Sequence, residues 1–301
     1  MPEVTCPGLS ANWVNGWLAA VGITALEPSL RLHWSLDATP VAVISSPDAD
    51  PVDSLVTAWP SSAMLADLPV AEKWAHDGTE HGVHLPRKVP VEALRARMKQ
   101  ARGHPGSWTL TSTMTDLCVD KAGEARHAPF DPPAPRGLTL HQRLTKAHAH
   151  VDSPRDWIPP CLEGLGQRVR GNGLGFDQSR IGSQGDEAAK LTDPVVEVLA
   201  FFGLALLPAR GPGVDLRHSP FAELNMRQKG WLKPSKAENQ FYWPTWKQPL
   251  DRNGIDALLD AWSPGEPLTW DRYGIHGAWK SVHFMRTTDA DATRAYGAKR
   301  L

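Results

Sequence analysis

The feature that most constrains the fold is an apolar run from Val195 to Leu207, in which Glu197 is the only charged residue. The run is well short of the roughly 20 residues that a membrane span needs, so we expect a helix buried in a protein core. Asp193 and Pro194 stand immediately before it and suit an N-cap followed by a first helical position. With 301 residues, of which 41% are hydrophobic and 22% charged, the chain can bury such a helix. The sequence therefore predicts a protein with a sizeable core and no membrane partner.

Apolar spacing predicts further helices and strands along the chain. The expected helices cover residues 12–26 (with Asn12 as N-cap), 52–59, 91–101, 138–150 and 255–262, the last capped by Asn253 or Gly254. The expected strands cover residues 30–34, 41–45, 107–113, 226–232, 240–246 and 275–284, and the polar last dozen residues are expected to fray. This mixture lacks regular strand–helix alternation, so it predicts an α+β fold with short antiparallel strands, in one or two lobes.

A proline-rich segment at residues 131–135 interrupts regular structure and is the predicted boundary between the lobes. Residues 1–130 would form an N-terminal α+β lobe, and residues 136–301 a C-terminal lobe with a glycine-rich basic loop. Residues 1–135 hold 10 Lys and Arg against 15 Asp and Glu, whereas residues 136–301 hold 22 against 18. The mild basic excess indicates that the second half is the side facing any nucleic acid.

The three cysteines, Cys6, Cys118 and Cys161, are far apart and form no CxxC pair. That spacing argues against a disulfide framework or a structural zinc site and is typical of a reducing compartment. The N-terminal residues lack the basic and apolar regions of a signal peptide, so the expected location is the cytoplasm. No cofactor is expected, because neither a GxGxxG nor a GxxxxGK[ST] motif occurs.

The segment from Gly164 to Arg180 combines five glycines with three arginines. Glycine lets backbone N–H groups approach an anion closely, and arginine adds a planar charged fork that fits phosphate oxygens. Residues Arg168, Arg170, Asn172 and Arg180 are therefore predicted to contact a nucleic-acid backbone without reading its sequence. The alternative is a flexible surface loop with no ligand.

A second basic segment runs from Asn225 to Lys247 and interleaves five cations with aromatic residues. Aromatic rings stack on unpaired bases while cations follow the phosphates, so the pattern suits single-stranded nucleic acid. The predicted contacts here are Arg227, Lys229, Trp231 and Lys233. The alternative is a hairpin whose aromatic rings pack inward and whose lysines face water.

Histidines offer weaker candidates for chemistry. His148, His150 and Asp152 have the alternation of a metal-binding strand, but the preceding pattern is helical. His76, His81 and His84 lie in an irregular acidic stretch and are expected to be exposed loop residues. Because no GxSxG element is present either, we expect no catalytic residues and no bound metal.

Three sequence features resemble proteins of subtype I-G (formerly I-U) CRISPR-Cas loci. They are residues 7–22 (PGLSANWVNGWLAAVG), residues 175–180 (GFDQSR) with residues 193–203 (DPVVEVLAFFG), and residues 227–231 (RQKGW) with residues 241–246 (FYWPTW). On these motifs the chain is similar to the small subunits of such systems and to their large-subunit-like or accessory proteins, although large subunits are far longer than 301 residues.

The resemblance implies a non-catalytic subunit of an RNA-guided antiviral surveillance complex. Its partners would be guide RNA, target DNA or both, together with other subunits of the complex. Guide pairing would read the target sequence, while protein groups hold the backbones by shape and charge. The alternative function is a protein–protein assembly subunit that does not touch nucleic acid. A third is a metal-dependent nuclease that uses His148, His150 and Asp152.

Overall fold

A computed structural model describes residues 1–71, 74–76, 79–81, 89–119, 122–127, 140–171, 173–174, 191–207, 209–210, 227–235, 238–284 and 295–301. Its helices are α1 (Val14–Leu26), α2 (Pro51–Thr57), α3 (Ser62–Asp67), α4 (Val91–Gln100), α5 (Trp108–Thr113), α6 (Leu140–His148), α7 (Pro154–Leu162), α8 (Pro194–Gly203) and α9 (Arg252–Ala261). Short 3₁₀ helices cover Leu204–Leu206 and Pro267–Tyr273. The helices and small antiparallel sheets confirm the α+β prediction.

The strands are β1 (Glu3–Ser10), β2 (Arg31–Trp34), β3 (Val41–Ser45), β4 (Trp74–His76), β5 (Thr79–His81), β6 (Val89–Pro90), β7 (Met114–Val119), β8 (Glu124–His127), β9 (Val169–Arg170), β10 (Leu191–Thr192), β11 (Ala209–Arg210), β12 (Arg227–Gln228), β13 (Trp231–Ser235), β14 (Glu238–Trp246), β15 (Ile275–Phe284) and β16 (Ala295–Arg300). Three sheets have more than two strands, in the orders β1-β3-β2, β6-β8-β7 and β13-β14-β15-β16. The strand pairings within the described residues are antiparallel, so short connections suffice between most neighbouring strands.

The centre of the molecule is the close contact between α1 and α8. Every residue of α8 is buried, as the apolar run predicted. A Cβ at Gly22 would overlap the carbonyl oxygen of Leu199, and one at Gly203 would overlap that of Leu18. Glycines on both helices therefore let the two backbones approach more closely than larger residues would permit.

Three buried tryptophans connect this core to the flanking sheets through hydrogen bonds. The Trp17 indole Nε1–H donates to the carbonyl oxygen of Pro244 at 2.8 Å. Trp243 donates to the carbonyl of Ala11 at 2.7 Å, and Trp246 to that of Leu32 at 2.8 Å. A buried indole needs an acceptor for its N–H group, and each of these acceptors lies more than 200 residues away in the chain. Residues from both predicted lobes, 1–130 and 136–301, thus share one hydrophobic core.

Five details of the predicted elements were wrong. The strand predicted over residues 226–232 is interrupted by a turn at residues 229–230, where Gly230 has a positive φ of 78°. Residues 108–113, within the predicted strand 107–113, form α5 instead, because Trp108 packs on the aromatic rings of α8 and the Thr109 and Thr111 hydroxyls find acceptors in carbonyls three residues earlier. Of the last dozen residues, 295–300 do not fray, since β16 pairs with the edge of β15 over six residues. Asn12 accepts a hydrogen bond from Ser10 instead of capping α1, whose N-cap is Trp13, and α9 is capped by the Asp251 carboxylate.

Candidate functional site

The described part of the glycine-rich segment begins as a two-stranded ribbon. Val169 and Arg170 in β9 pair with Leu191 and Thr192 in β10, just before α8. Arg168 and Arg170 are both exposed, and neither forms an ion pair with a carboxylate within the described ranges. The predicted contacts Asn172 and Arg180 lie outside the described residues. The structure thus places two of the four predicted residues of this segment at the protein surface.

Arg170 lines a cavity of about 430 Å³, and the titratable residues in the described part of its lining are all basic. The other basic residues at its wall are Arg143, Lys146 and His150. The rest of the described lining is small or apolar: Ala147, Ala149, Val169, Gly171, Gly173 and Thr192. We call this the basic cavity. Cations facing one concave space raise the local concentration of anions and strengthen their binding.

Helical spacing explains why the basic residues of α6 face the same cavity. Arg143 and Lys146 are three residues apart on α6, and His150 lies two residues beyond the end of α6, where its backbone N–H donates to the carbonyl oxygen of Ala147 at 3.1 Å. Residues at this spacing lie on one side of a helix. Arg143 is only 4% exposed, and its guanidinium Nη1 donates to the carbonyl oxygen of Gly173 at 3.3 Å. Lys146, His150 and Arg170 are exposed, so a buried arginine lies behind three accessible basic groups.

A buried carboxylate fixes the base of the glycine-rich segment. Glu197 is 1% exposed; its Oε1 accepts a 2.7 Å hydrogen bond from the Asn15 side chain, and its Oε2 accepts one from the backbone N–H of Leu174. Gly173 adopts a positive φ of 47°, and a Cβ there would overlap the Glu197 carboxyl group. The core helices α1 and α8 therefore hold the backbone at one wall of the basic cavity.

Arg168 lines a separate cavity of about 530 Å³, together with Asp193, Cys161 and Trp13. The Asp193 carboxylate caps α8 by accepting from the N–H groups of Val195 and Val196. Burial raises the pKa of Asp193, while its hydrogen bonds and the positive charge of Arg168 act in the opposite direction. Burial also raises the pKa of the Cys161 thiol well above its ordinary value, which favours an inert neutral thiol.

The second basic segment is arranged differently from the prediction. Lys229 is 8% exposed, and its ammonium donates to the Asp256 carbonyl at 2.9 Å while forming ion pairs with the carboxylates of Asp256 and Asp260. Its interpretation as a phosphate contact is therefore corrected to that of a structural ion pair. Phe241, Trp243 and Trp246 are buried in the core. The backbones of Arg227, Trp231 and Lys233 lie in β12 and β13, and their side chains lie outside the described part.

The histidine pair does not converge on one point. His148 Nε2 contacts the carbonyl oxygen of Pro60 at 2.6 Å, and its ring stacks on Trp59. His150 lines the basic cavity, and the Asp152 carboxylate accepts from the Trp157 indole. Within the described residues, no group of three or more His, Cys, Asp or Glu side chains is arranged to hold a metal ion. The side chains of His76, His81 and His84 lie outside that part of the chain.

No protein-family model matches this chain, and no curated protein matches it. Among the helices that the structure describes, none is long and apolar enough to cross a membrane.

Sequence reasoning missed three of the four basic residues at the cavity. Arg143, Lys146 and His150 belong to the helix that was predicted over residues 138–150, and their shared helical face was the available signal. The sequence also indicated that Glu197 is a special position, because a single carboxylate inside a buried apolar helix must have hydrogen-bond partners. Nothing in the sequence places Asn15 or Leu174 beside it.

Proposed function

We propose that the protein binds the sugar–phosphate backbone of a polynucleotide at the basic cavity. The observation that supports this proposal is the convergence of Arg143, Lys146, His150 and Arg170 on one open concave surface whose described lining holds no carboxylate. Three of these groups are accessible, and the neighbouring Gly171 allows a phosphate to approach the backbone. Such contacts position a strand and are independent of its sequence.

We further propose that this binding serves a non-catalytic subunit of an RNA-guided CRISPR-Cas type I defence complex. The resemblance of residues 7–22, 175–180 with 193–203, and 227–231 with 241–246 supports that setting. The strand held at the cavity would then be guide RNA or a target DNA strand. Holding a strand requires only fixed cations and backbone donors.

The test is to replace two exposed cavity residues together, as Lys146→Ala with Arg170→Ala, and to measure binding of single-stranded RNA and DNA of mixed sequence. We expect roughly tenfold weaker binding at constant salt, because two charge-assisted phosphate contacts are removed. The matched control removes two exposed arginines elsewhere, Arg102→Ala with Arg155→Ala, and should bind as the wild type does. Equal affinity of the cavity variant and the control would overturn the proposal and favour an assembly subunit that contacts only proteins.

A further inference from the structure

The sheet β13-β14-β15-β16 has a row of polar residues that crosses three adjacent strands. Tyr242 in β14 lies directly opposite Lys280 in β15, and Lys280 lies directly opposite Lys299 in β16. Residues directly opposite each other in antiparallel strands project from the same face, about 5 Å apart. Lys299 is exposed, and Tyr242 and Lys280 are half-buried. We call this surface the tyrosine–lysine row.

The other face of the same strands is turned toward the core. Phe241 and Trp243 alternate with Tyr242 and are almost fully buried. Trp17 contacts the edge of the Phe241 ring, which stacks on Trp243. This alternation explains why Tyr242 remains at the surface in a segment whose other described aromatic residues are buried.

Like charges directly opposite each other destabilise an antiparallel pair. Lys280 and Lys299 are such a pair, and within the described ranges neither has a carboxylate partner. The Tyr242 hydroxyl donates to the Gln240 side-chain oxygen at 2.7 Å, which holds the ring in one orientation. Pro244 and Ala278, the next pair on this face, are buried and end the accessible area. A fixed aromatic ring beside two unneutralised cations is complementary to a planar base attached to phosphates.

We propose that the tyrosine–lysine row is a second binding surface, which holds an unpaired stretch of nucleic acid by stacking one base on Tyr242 while Lys280 and Lys299 contact the adjoining phosphates. The inference takes its ligand class from the proposed function and adds a surface built from different residues. It also assigns the two surfaces different roles. The basic cavity would hold the backbone alone, whereas the row would hold the backbone through its lysines and one base through Tyr242.

The experiment compares two oligonucleotides of equal length and charge, a single strand with bases and the same strand with abasic sites throughout. Tyr242→Leu should weaken binding of the strand with bases about tenfold, since base–aromatic stacking contributes about that factor, and should leave the abasic strand unaffected. Tyr242→Phe keeps the ring and loses only the hydroxyl bond to Gln240, so it should lose much less affinity than Tyr242→Leu. Lys280→Ala, which leaves Tyr242 in place, should weaken binding of both strands.

Photocrosslinking supplies a readout that does not depend on affinity. A strand carrying 5-iodouracil should crosslink to Tyr242, and peptide mapping would identify the site. The inference would be overturned if Tyr242→Leu bound the strand with bases as tightly as the wild type does and if the crosslinks mapped to residues other than Tyr242. Failure of the proposed function gives a different result. If the basic cavity does not bind nucleic acid, Lys146→Ala with Arg170→Ala will leave binding of the abasic strand unchanged.

Discussion

The glycine-rich segment and the segment around Lys229 have similar basic sequences, yet their charges have opposite surroundings. Arg170 is exposed at a cavity with three other basic residues, while Lys229 is buried between two carboxylates. The difference arises from residues far along the chain, since α9 brings Asp256 and Asp260 to Lys229 and α6 brings Arg143 and Lys146 to Arg170. A cation is available to a ligand only where the fold leaves it accessible and without a carboxylate partner.

The largest expected effect concerns the backbone beside the basic cavity. Gly173→Ala should lower the free energy of unfolding by about 3 kcal/mol, because alanine is strained at φ 47° and its methyl group would displace the buried Glu197 carboxylate. Gly171→Ala is the matched control two residues earlier; its Cβ would make only an ordinary contact at 3.8 Å with Thr192. Denaturant unfolding measures both variants. Equal stability of the two would show that Glu197 does not fix this backbone.

The next effect tests the corrected role of Lys229. Lys229→Met should lower the free energy of unfolding by about 2 kcal/mol, since Asp256 and Asp260 lose their counter-ion. The loss stays below that of a fully buried pair because these carboxylates are 39% and 45% exposed. Lys99→Met, at an exposed position in α4, should change stability by less than about 0.5 kcal/mol. The folded Lys229→Met protein should bind nucleic acid as tightly as the wild type does. A loss of affinity would show that Lys229 contacts phosphate, as the sequence predicted.

The smallest effect concerns α6, which carries a buried histidine as well as the cavity cations. Burial lowers the pKa of His141 below its ordinary value near 6.5, and its Nε2 contacts the Leu65 carbonyl oxygen at 2.9 Å. The neutral ring is therefore favoured in the folded state. Stability from His141 is present above pH 6.5 and is lost as the pH falls below that value toward the folded-state pKa. His141→Gln should flatten this part of the pH–stability profile between pH 7 and 5, and an unchanged slope would contradict the assignment.

Local sequence patterns were sufficient for much of the fold. The cap at Asp193, the helical spacing of α4 and the alternation of β2, β3 and β15 follow from neighbouring residues. Residues 107–113 were misassigned because their β-branched composition favours a strand, whereas packing of Trp108 on α8 favours a helix. Long-range contacts override local propensity at such places.

The candidate site was only partly predictable for the same reason. Exposure of Arg168 and Arg170 agrees with the glycine-rich pattern, but the cavity depends on α6, which precedes them by about twenty residues and makes no motif with them. Likewise, the alternation of Tyr242 with buried aromatic rings could be read from the sequence, while its pairing with Lys280 and Lys299 required the strand register.

The salt dependence of polynucleotide binding tests the central claim most directly. For a single strand, the slope of log K against log salt concentration is negative, and its magnitude decreases by about 0.7 for each phosphate contact removed. The slope for Lys146→Ala with Arg170→Ala should therefore be smaller in magnitude than that of the wild type by about 1.4, while Lys229→Met should retain the wild-type slope. Identical slopes for the wild type and the cavity variant would show that the basic cavity does not hold phosphates.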